Sequence, residues 1–253
     1  MTAAAVASPR SPATPIQRPG RDWVRALSAL RRLLANKEDT SQVFEIMRAL
    51  SGQSGAKGYL RLLQTPAGGR LAYERVELAQ RLMDDAWLDS FAEGSVGAAY
   101  RDWVRAEGLS AEGLADESRK GLQQGQVDIA HPYAWFGRRI RDTHDIWHIL
   151  TGYGRDALGE LCLVAFSYSQ TRSLGWAMIA WGGYFRAKGP ARNAVRKAVR
   201  EGFRRGREAA WLLGEDYERL LAEPIDSVRA RLGLAPASAY EAVPAELRNP
   251  KLA

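Results

Sequence analysis

Two of the three histidines of this 253-residue chain stand four apart, in His144-Asp145-Ile146-Trp147-His148, and Glu160 follows twelve residues later. On an α-helix, positions four apart share one face, a turn apart. Two imidazoles so placed can reach one metal ion, and Asp145 and Glu160 would add oxygen ligands. Two histidines with two carboxylates suit a borderline divalent cation such as Zn²⁺, Fe²⁺ or Mn²⁺. The competing reading is a pair of buried histidines with ordinary hydrogen bonds. The adjacent Asp145 and the Gly159-Glu160 pair favour the metal.

The elements must then bring these residues together. On one continuous helix Glu160 would lie roughly a third of a turn off the His148 face. Thr151-Gly152-Tyr153-Gly154 should break that helix, so Glu160 is expected to return from the start of the next one. Pro132 can open the motif helix. Phe136, Ile140, His144, Trp147 and His148 fall on one stripe, which puts the metal pair on the apolar, buried face. Arg141 stands one turn before Asp145. Two roles stay open for it: a salt bridge to Asp145, or a catalytic cation that receives a substrate carboxylate.

The run Arg139 to Gly152, followed by Gly159-Glu160, resembles the signature of the coenzyme Q biosynthesis protein 4 family, with its HDxxH…E metal motif. Gly94-Ser95-Val96-Gly97-Ala98-Ala99-Tyr100 is similar to that family's G-(S/T)-x-G-x-x-Y segment. Gly68-Gly69-Arg70 resembles its turn, with Thr65-Pro66-Ala67 where an acid is frequent. Trp211-Leu212 through Arg229-Ala230-Arg231-Leu232-Gly233-Leu234 resembles its closing segment, with Leu212 in place of the usual Glu. Ile140 stands where Tyr is common and Asp142 where Glu is common, and neither is a proposed ligand. The likeness covers roughly residues 22 to 236.

The resemblance implies ubiquinone biosynthesis, by oxidative decarboxylation at ring carbon 1 of a polyprenylated 4-hydroxybenzoate derivative. It implies a divalent metal, Zn²⁺ first, held by His144, Asp145, His148 and Glu160. Its partners would be a polyprenylated aromatic lipid, an anionic membrane surface and other ubiquinone-biosynthesis proteins, and a homo-oligomer is admitted. The place would be the cytoplasmic face of the plasma membrane, or the matrix side of the mitochondrial inner membrane in a eukaryote. A non-catalytic lipid-binding scaffold would use the same features with a structural metal. An open coordination position would mark catalysis and a closed site structure. A metal-dependent phosphohydrolase is disfavoured, because it needs a further histidine, and His131 beside Pro132 is the only one left.

The net charge of +7 points to an anionic partner. Nucleic acid is set aside, since no recognisable binding motif is present. Cys162 is the sole cysteine, which excludes an intrachain disulfide. The most apolar region, Leu161 to Phe185, is interrupted by Arg172, and its uncharged runs fall short of the ~18 residues that mark a spanning helix. The start of the chain lacks the apolar stretch of a signal peptide.

Residues 1–21 are rich in Ala and Pro and should form a disordered tail. From residue 22 to 253 one all-α domain is expected, a compact multi-helix fold with an apolar cavity. Helices are predicted from Asp22, from a cap at Thr40 or Ser41 to a stop at Gly52, near Tyr59 to Leu63, over Leu71 to Met83 and from Gly94-Ser95 to Ala106. A polar helix over Ser110 to Lys120 and a less regular stretch to His131 precede the motif helix. Beyond it, helices are expected over Arg155 to Thr171, Leu174 to Phe185, Pro190 to Leu213 and Asp226 to Leu232. Arg192, Arg196, Arg200 and Arg204 repeat every four residues and form a basic ridge, either a solvated face or a membrane contact. Leu161, Ala165, Phe166, Leu174, Met178 and Trp181 are the expected wall of the cavity.

Overall fold

The computed structural model describes residues 20–36, 39, 41–108, 132–189 and 191–249. The tail expected to be disordered therefore lies almost wholly outside the described residues, as do the predicted Ser110 to Lys120 helix, the stretch after it and His131. Among the described residues no strand forms, and one isolated bridge joins Ser95 to Pro224.

The first half of the chain is a series of short helices: α1 Trp23–Ala35, α2 Ser41–Leu50, α3 Ser54–Leu62, α4 Gly68–Glu74, α5 Leu78–Leu82, α6 Asp85–Asp89 and α7 Val96–Ala106. Side-chain caps start several of them. Asp22 accepts from Arg25 N, Asp84 from Trp87 N and Ser95 from Ala98 N. The single helix predicted over Leu71 to Met83 is two, α4 and α5. Arg75 ends α4 in the left-handed region at φ 48°. The segment after it is held by outside partners: Trp135 Nε1 donates to Val76 O at 3.1 Å, and Arg138 makes a forked bond to Glu77 at 2.6 and 2.9 Å.

The second half supplies the longer helices: α8 Pro132–Asp142, α9 His144–Thr151, α10 Ala157–Thr171, α11 Leu174–Arg186 and α12 Arg192–Glu208. A 3₁₀ turn at Leu212–Gly214, α13 Tyr217–Leu220, α14 Ile225–Leu232, α15 Ser238–Glu241 and a last 3₁₀ turn at Ala245–Leu247 close the chain.

The core is built around α10. Leu158, Cys162, Leu163, Ala165 and Phe166 are all buried, and so are Ser167 and Gln170 on its other sides. A helix apolar on most of its circumference must be surrounded. α12 packs closely against it, because Gly202 and Gly206 carry no side chain. A Cβ there would come within 2.5 Å of Cys162 O and 2.6 Å of Phe166 O. Gln170 is the polar exception inside this core, and its amide is spent: it donates to Gly206 O and Ala210 O and accepts from Leu212 N. A smaller cluster joins α1 and α2 through Ala26, Ala29, Leu33, Ile46, Ala49 and Leu50.

The six residues expected to wall an apolar cavity do not share one space. Phe166 is fully buried and meets Trp147 edge-to-face at 5.8 Å. Leu161 covers Gly183. Leu174 and Met178 pack on the α1–α2 cluster, and Trp181 is exposed.

Candidate metal centre

The motif helix is bent. α8 and α9 meet at Thr143, which is fully buried, and its hydroxyl donates to Ile140 O at 3.0 Å. Backbone bonds from Thr143 N to Arg139 O and from Trp147 N to Thr143 O keep the two helices nearly continuous. A threonine that hydrogen-bonds back into the preceding turn bends a helix without breaking it. Trp147 anchors the buried side: its Nε1 donates to Tyr217 Oη at 2.6 Å.

α9 ends where the glycines predict. Gly152 takes φ 76°, and its N–H donates to His148 O. The chain then doubles back across the start of α10. A Cβ on Gly159 would lie 2.0 Å from Gly154 O, so only glycine allows the loop to cross this closely. The opening amides of α10 are all satisfied: Ala157 N by Asn249 Oδ1, Leu158 N by Arg248 O, Gly159 N by Asp156 Oδ1 and Glu160 N by Asp156 O. Glu160 thus stands in the first turn of a firmly capped helix and faces the histidines, as its return from the next helix requires.

His144, Asp145 and His148 each offer a ligand atom within 4.8 Å of the others'. Glu160 joins them. Its Oε1 lies 3.3 Å from His148 Nε2, and its Oε2 lies 3.9 Å from His144 Nε2. Asp145 Oδ1 is 3.3 Å from His144 Nδ1. All four residues named from the sequence are therefore brought to one corner.

His148 is the most informative of them. Its Nδ1 lies 2.9 Å from the Tyr153 carbonyl oxygen, which can only accept, so Nδ1 carries the hydrogen. In the neutral ring Nε2 then holds the lone pair, and it is buried without a hydrogen-bond partner. That lone pair points at a carboxylate. Two acceptors so close repel unless a cation or a proton lies between them. A carbonyl fixing one ring nitrogen so that the other can ligate is the usual outer-sphere arrangement of metal-binding histidines.

The electrostatics favour positive charge inside the cluster. Burial favours neutral His144, but its hydrogen bond to Asp145 and the charges of Glu160 and Asp145 outweigh this and raise its pKa. Burial would raise Asp145, yet the His144 hydrogen bond and the charges of His144, His148 and Arg155 hold it below the usual carboxylate range. Glu160 is likewise lowered: burial is outweighed by positive charge on the side of His148 and His144, in line with the need for a proton or a cation between Nε2 and Oε1. Both carboxylates stay ionised, as ligands must.

The corner is closed on one side and open on the other. The His148 side chain is 1% exposed and that of Glu160 40%. Tryptophans back both imidazoles: Trp103 stacks on His148 with centroids 5.7 Å apart, and Trp176 on His144 at 6.3 Å. Arg141 does not reach Asp145. Its guanidinium pairs with Asp142, at 2.7 Å from Nη2 and 2.9 Å from Nε. Residues that the sequence did not single out also surround the site: Trp103, Trp176, Arg155 and Tyr240. Arg155 sits in the Gly-flanked loop already marked as a break, which was the one available signal. Tyr240 arrives from 80 residues away in the chain and left none.

Fold and site together define an all-helical protein with a His₂-carboxylate₂ cluster carried on two successive helices. The chain belongs to the family described as coenzyme Q (ubiquinone) biosynthesis protein Coq4, which it matches over residues 23–238. It is 28% identical over 178 residues to the ubiquinone biosynthesis protein coq4, mitochondrial, of Talaromyces stipitatus, over 68% of this chain and 58% of that protein. It is 26% identical over 183 residues to the ubiquinone biosynthesis protein COQ4 homolog, mitochondrial, of Rattus norvegicus, over 70% of this chain and 64% of that one. The matched span thus falls short of two thirds of either relative. A crystal structure of a protein from Nostoc punctiforme shares the fold, with a TM-score of 0.64 and 23% identity over 85% of this chain and 99% of that one.

Proposed function

We propose that this protein is an enzyme of ubiquinone biosynthesis whose centre is a divalent metal held by His144, Asp145, His148 and Glu160. The observation that carries the reading is the buried, unpartnered Nε2 of His148 facing Glu160 Oε1 at 3.3 Å. The names of the relatives supply the pathway, and the half-open corner supplies room for a substrate beside the cluster. Donor type ranks Zn²⁺ first and Fe²⁺ or Mn²⁺ next.

The reaction assigned is oxidative decarboxylation at ring carbon 1 of a polyprenylated 4-hydroxybenzoate derivative. The bond from the ring to the carboxylate breaks, CO₂ leaves and a hydroxyl takes its place. The change removes two electrons: dioxygen is the external oxidant of this reading and takes them up as hydrogen peroxide, while water supplies the oxygen of the new hydroxyl. A bound divalent cation supplies charge stabilisation for the ring oxygens. The protein's own groups do the placing. The Tyr153 carbonyl fixes the His148 tautomer, the Asp156 cap fixes Glu160, and Trp103 and Trp176 give the aromatic substrate an apolar rim at the mouth of the site.

A prenylated substrate resides in a membrane, and one face suits that surface. Trp181 and Phe185 are 56% and 63% exposed and stack on each other. Arg192 and Arg200 of the basic ridge lie exposed nearby, and Arg196 covers the Tyr184 ring at 4.9 Å. Among the described residues no helix is long and apolar enough to cross a membrane. Peripheral attachment through this aromatic and basic face, on the side of the membrane that carries the other ubiquinone-biosynthesis proteins, is the corresponding proposal.

The test is release of labelled CO₂ from a ring-carboxyl-labelled prenylated hydroxybenzoate by protein loaded in turn with Zn²⁺, Fe²⁺ and Mn²⁺. Wild-type protein should turn over with at least one metal, and His148→Ala should lose both metal and activity. Metal uptake without CO₂ release in any form would leave a structural centre and remove the enzymatic reading.

A further inference from the structure

Beside the metal cluster stands a cation that is only loosely paired among the described residues. Arg155 lies in the loop between α9 and α10, with its guanidinium 5.8 Å over the ring of Trp103, the same ring that stacks on His148. Its side chain is 39% exposed, and its one acidic neighbour among the described residues is Glu107 at 3.6 Å, longer than a hydrogen bond. No hydrogen bond to Arg155 forms among the described residues. Arg141, by contrast, is forked onto Asp142.

The loop that carries Arg155 is held on both sides by one phenol. Tyr240 Oη accepts from Gly154 N at 3.1 Å and donates to Asp156 Oδ2, while Asp156 Oδ1 caps α10 through Gly159 N. Arg155 is thus the middle residue of a three-residue arch whose two feet are bonded to the same hydroxyl. The clamp comes from beyond residue 238, where the family match ends. A side chain on an arch this well fixed, with donors that make no hydrogen bond among the described residues and an aromatic plane beneath it, is pre-organised to receive a planar anion.

We propose that Arg155, and not Arg141, is the residue that binds the carboxylate of the aromatic substrate, through a forked charge-assisted pair beside the metal. The proposal rests on the functional reading above and names the group that selects for an acid over a phenol. Trp103 orients the guanidinium by its face, and the ring of the substrate continues the stack on the open side of the cluster. The arginine's delocalised, planar fork suits this role where the ammonium of lysine does not.

The experiment is calorimetric binding of 4-hydroxybenzoate and of phenol to Zn²⁺-loaded full-length protein, with metal content measured on every sample. Wild type and Arg141→Met should prefer 4-hydroxybenzoate over phenol, by tenfold or more. Arg155→Met should lose that preference at unchanged metal content, and Arg155→Lys should recover only part of it. Inorganic phosphate should compete with the benzoate in wild type and not in Arg155→Met. Retained preference in Arg155→Met, or its loss in Arg141→Met, overturns the assignment while the metal reading stands. Loss of metal in Arg155→Met assigns the residue to the centre's support and equally overturns it. A wild type that takes up no metal removes the functional reading and this proposal together.

Discussion

α12 carries arginines of two kinds on two faces. On the inner face Arg205 is buried; its Nε donates to Ala235 O at 2.9 Å, and its Nη2 to Thr151 O at 2.8 Å. Its guanidinium also lies 4.8 Å over the ring of Tyr153, whose carbonyl sets the His148 tautomer. On the outer face Arg192 and Arg200 are exposed, and Arg200 reaches only the Tyr184 hydroxyl, at 3.3 Å. In the chain these residues read as one basic run. In the fold the inner arginine ties the end of α9 to the C-terminal segment and so belongs to the frame of the metal corner. The outer ones are left for a partner. Burial with fixed acceptors, and not charge, separates the two roles.

The sharpest way to break this contrast is Arg205→Met. It leaves the buried Thr151 carbonyl without this donor, at about 1–3 kcal/mol, and removes the bonds to the Ala235 carbonyl and the packing on Tyr153 as well. The expected loss of stability is on the order of 3 kcal/mol, with weaker metal binding because the Tyr153 support goes too. Arg200→Met should stay within about 0.5 kcal/mol of wild type. Urea denaturation of both variants decides it, and equal losses would end the distinction between the faces.

A second buried arginine sharpens it through pH. Arg139 is forked onto Glu218 at 2.9 Å from both nitrogens. Burial would raise the Glu218 pKa, but the hydrogen bond and charge of Arg139 outweigh it and hold the carboxyl below its usual range. A lowered folded-state pKa means stability that is present above the unfolded value, about 4.3, and is lost as pH falls through the folded value. Glu218→Gln should therefore cost about 2 kcal/mol at pH 7, the neighbourhood of a broken buried pair tempered by partial exposure. The gap between the two proteins should shrink as the pH drops below about 4. A gap constant from pH 7 to 3 would show that the pair contributes through shape alone.

Tyr240→Phe probes the same frame with a smaller change. It removes one donor and one acceptor while keeping the ring against Tyr153, whose centroid is 5.5 Å away. The expected cost is about 1 kcal/mol in stability and roughly a tenfold weaker hold on metal, the size typical of outer-sphere partners. Metal titration against a competing chelator reads the second effect directly.

Much of this was legible in the chain before any coordinates. Period-3.6 stripes with capping residues mark most helices, and the Gly152 and Gly159 positions mark a loop that turns Glu160 back onto the histidines. What escaped has common physical causes. Arg75 in the left-handed region splits a helix that its residue pattern would continue, because Trp135 and Arg138 bond to the backbone and side chain that follow. The apolar residues of α10 and α11 suit a cavity wall as well as a solid core, and only the close approach of neighbouring helices distinguishes these. The sequence left Arg141 between a salt bridge to Asp145 and a substrate contact; in the fold its guanidinium turns to the adjacent Asp142, and the clamp of Tyr240 on the Arg155 loop arises only in space.

The outer face gives the smallest effect on stability and the largest on attachment. Arg204 is already paired with Glu208 at 3.1 Å and lies 3.8 Å from Glu201, and Arg196 donates to Tyr184 O. That leaves Arg192 and Arg200 as the exposed members of the ridge with no carboxylate partner among the described residues. Each basic residue near an anionic surface contributes about 1 kcal/mol, so two together amount to roughly a thirtyfold change in partition. Replacing Arg192 and Arg200 with Gln should lower binding to anionic vesicles by about that factor, with stability unchanged to within about 0.5 kcal/mol. The residual binding should rest on Trp181 and Phe185, and salt should weaken it far less than it weakens wild type, because screening acts on charges and not on buried apolar area. Replacing Arg196 and Arg204 instead should have the smaller effect on binding. Vesicle sedimentation at low and high salt separates these cases. Equal binding by all three proteins would mean that the ridge is a solvated surface and that attachment, if it occurs, uses another face.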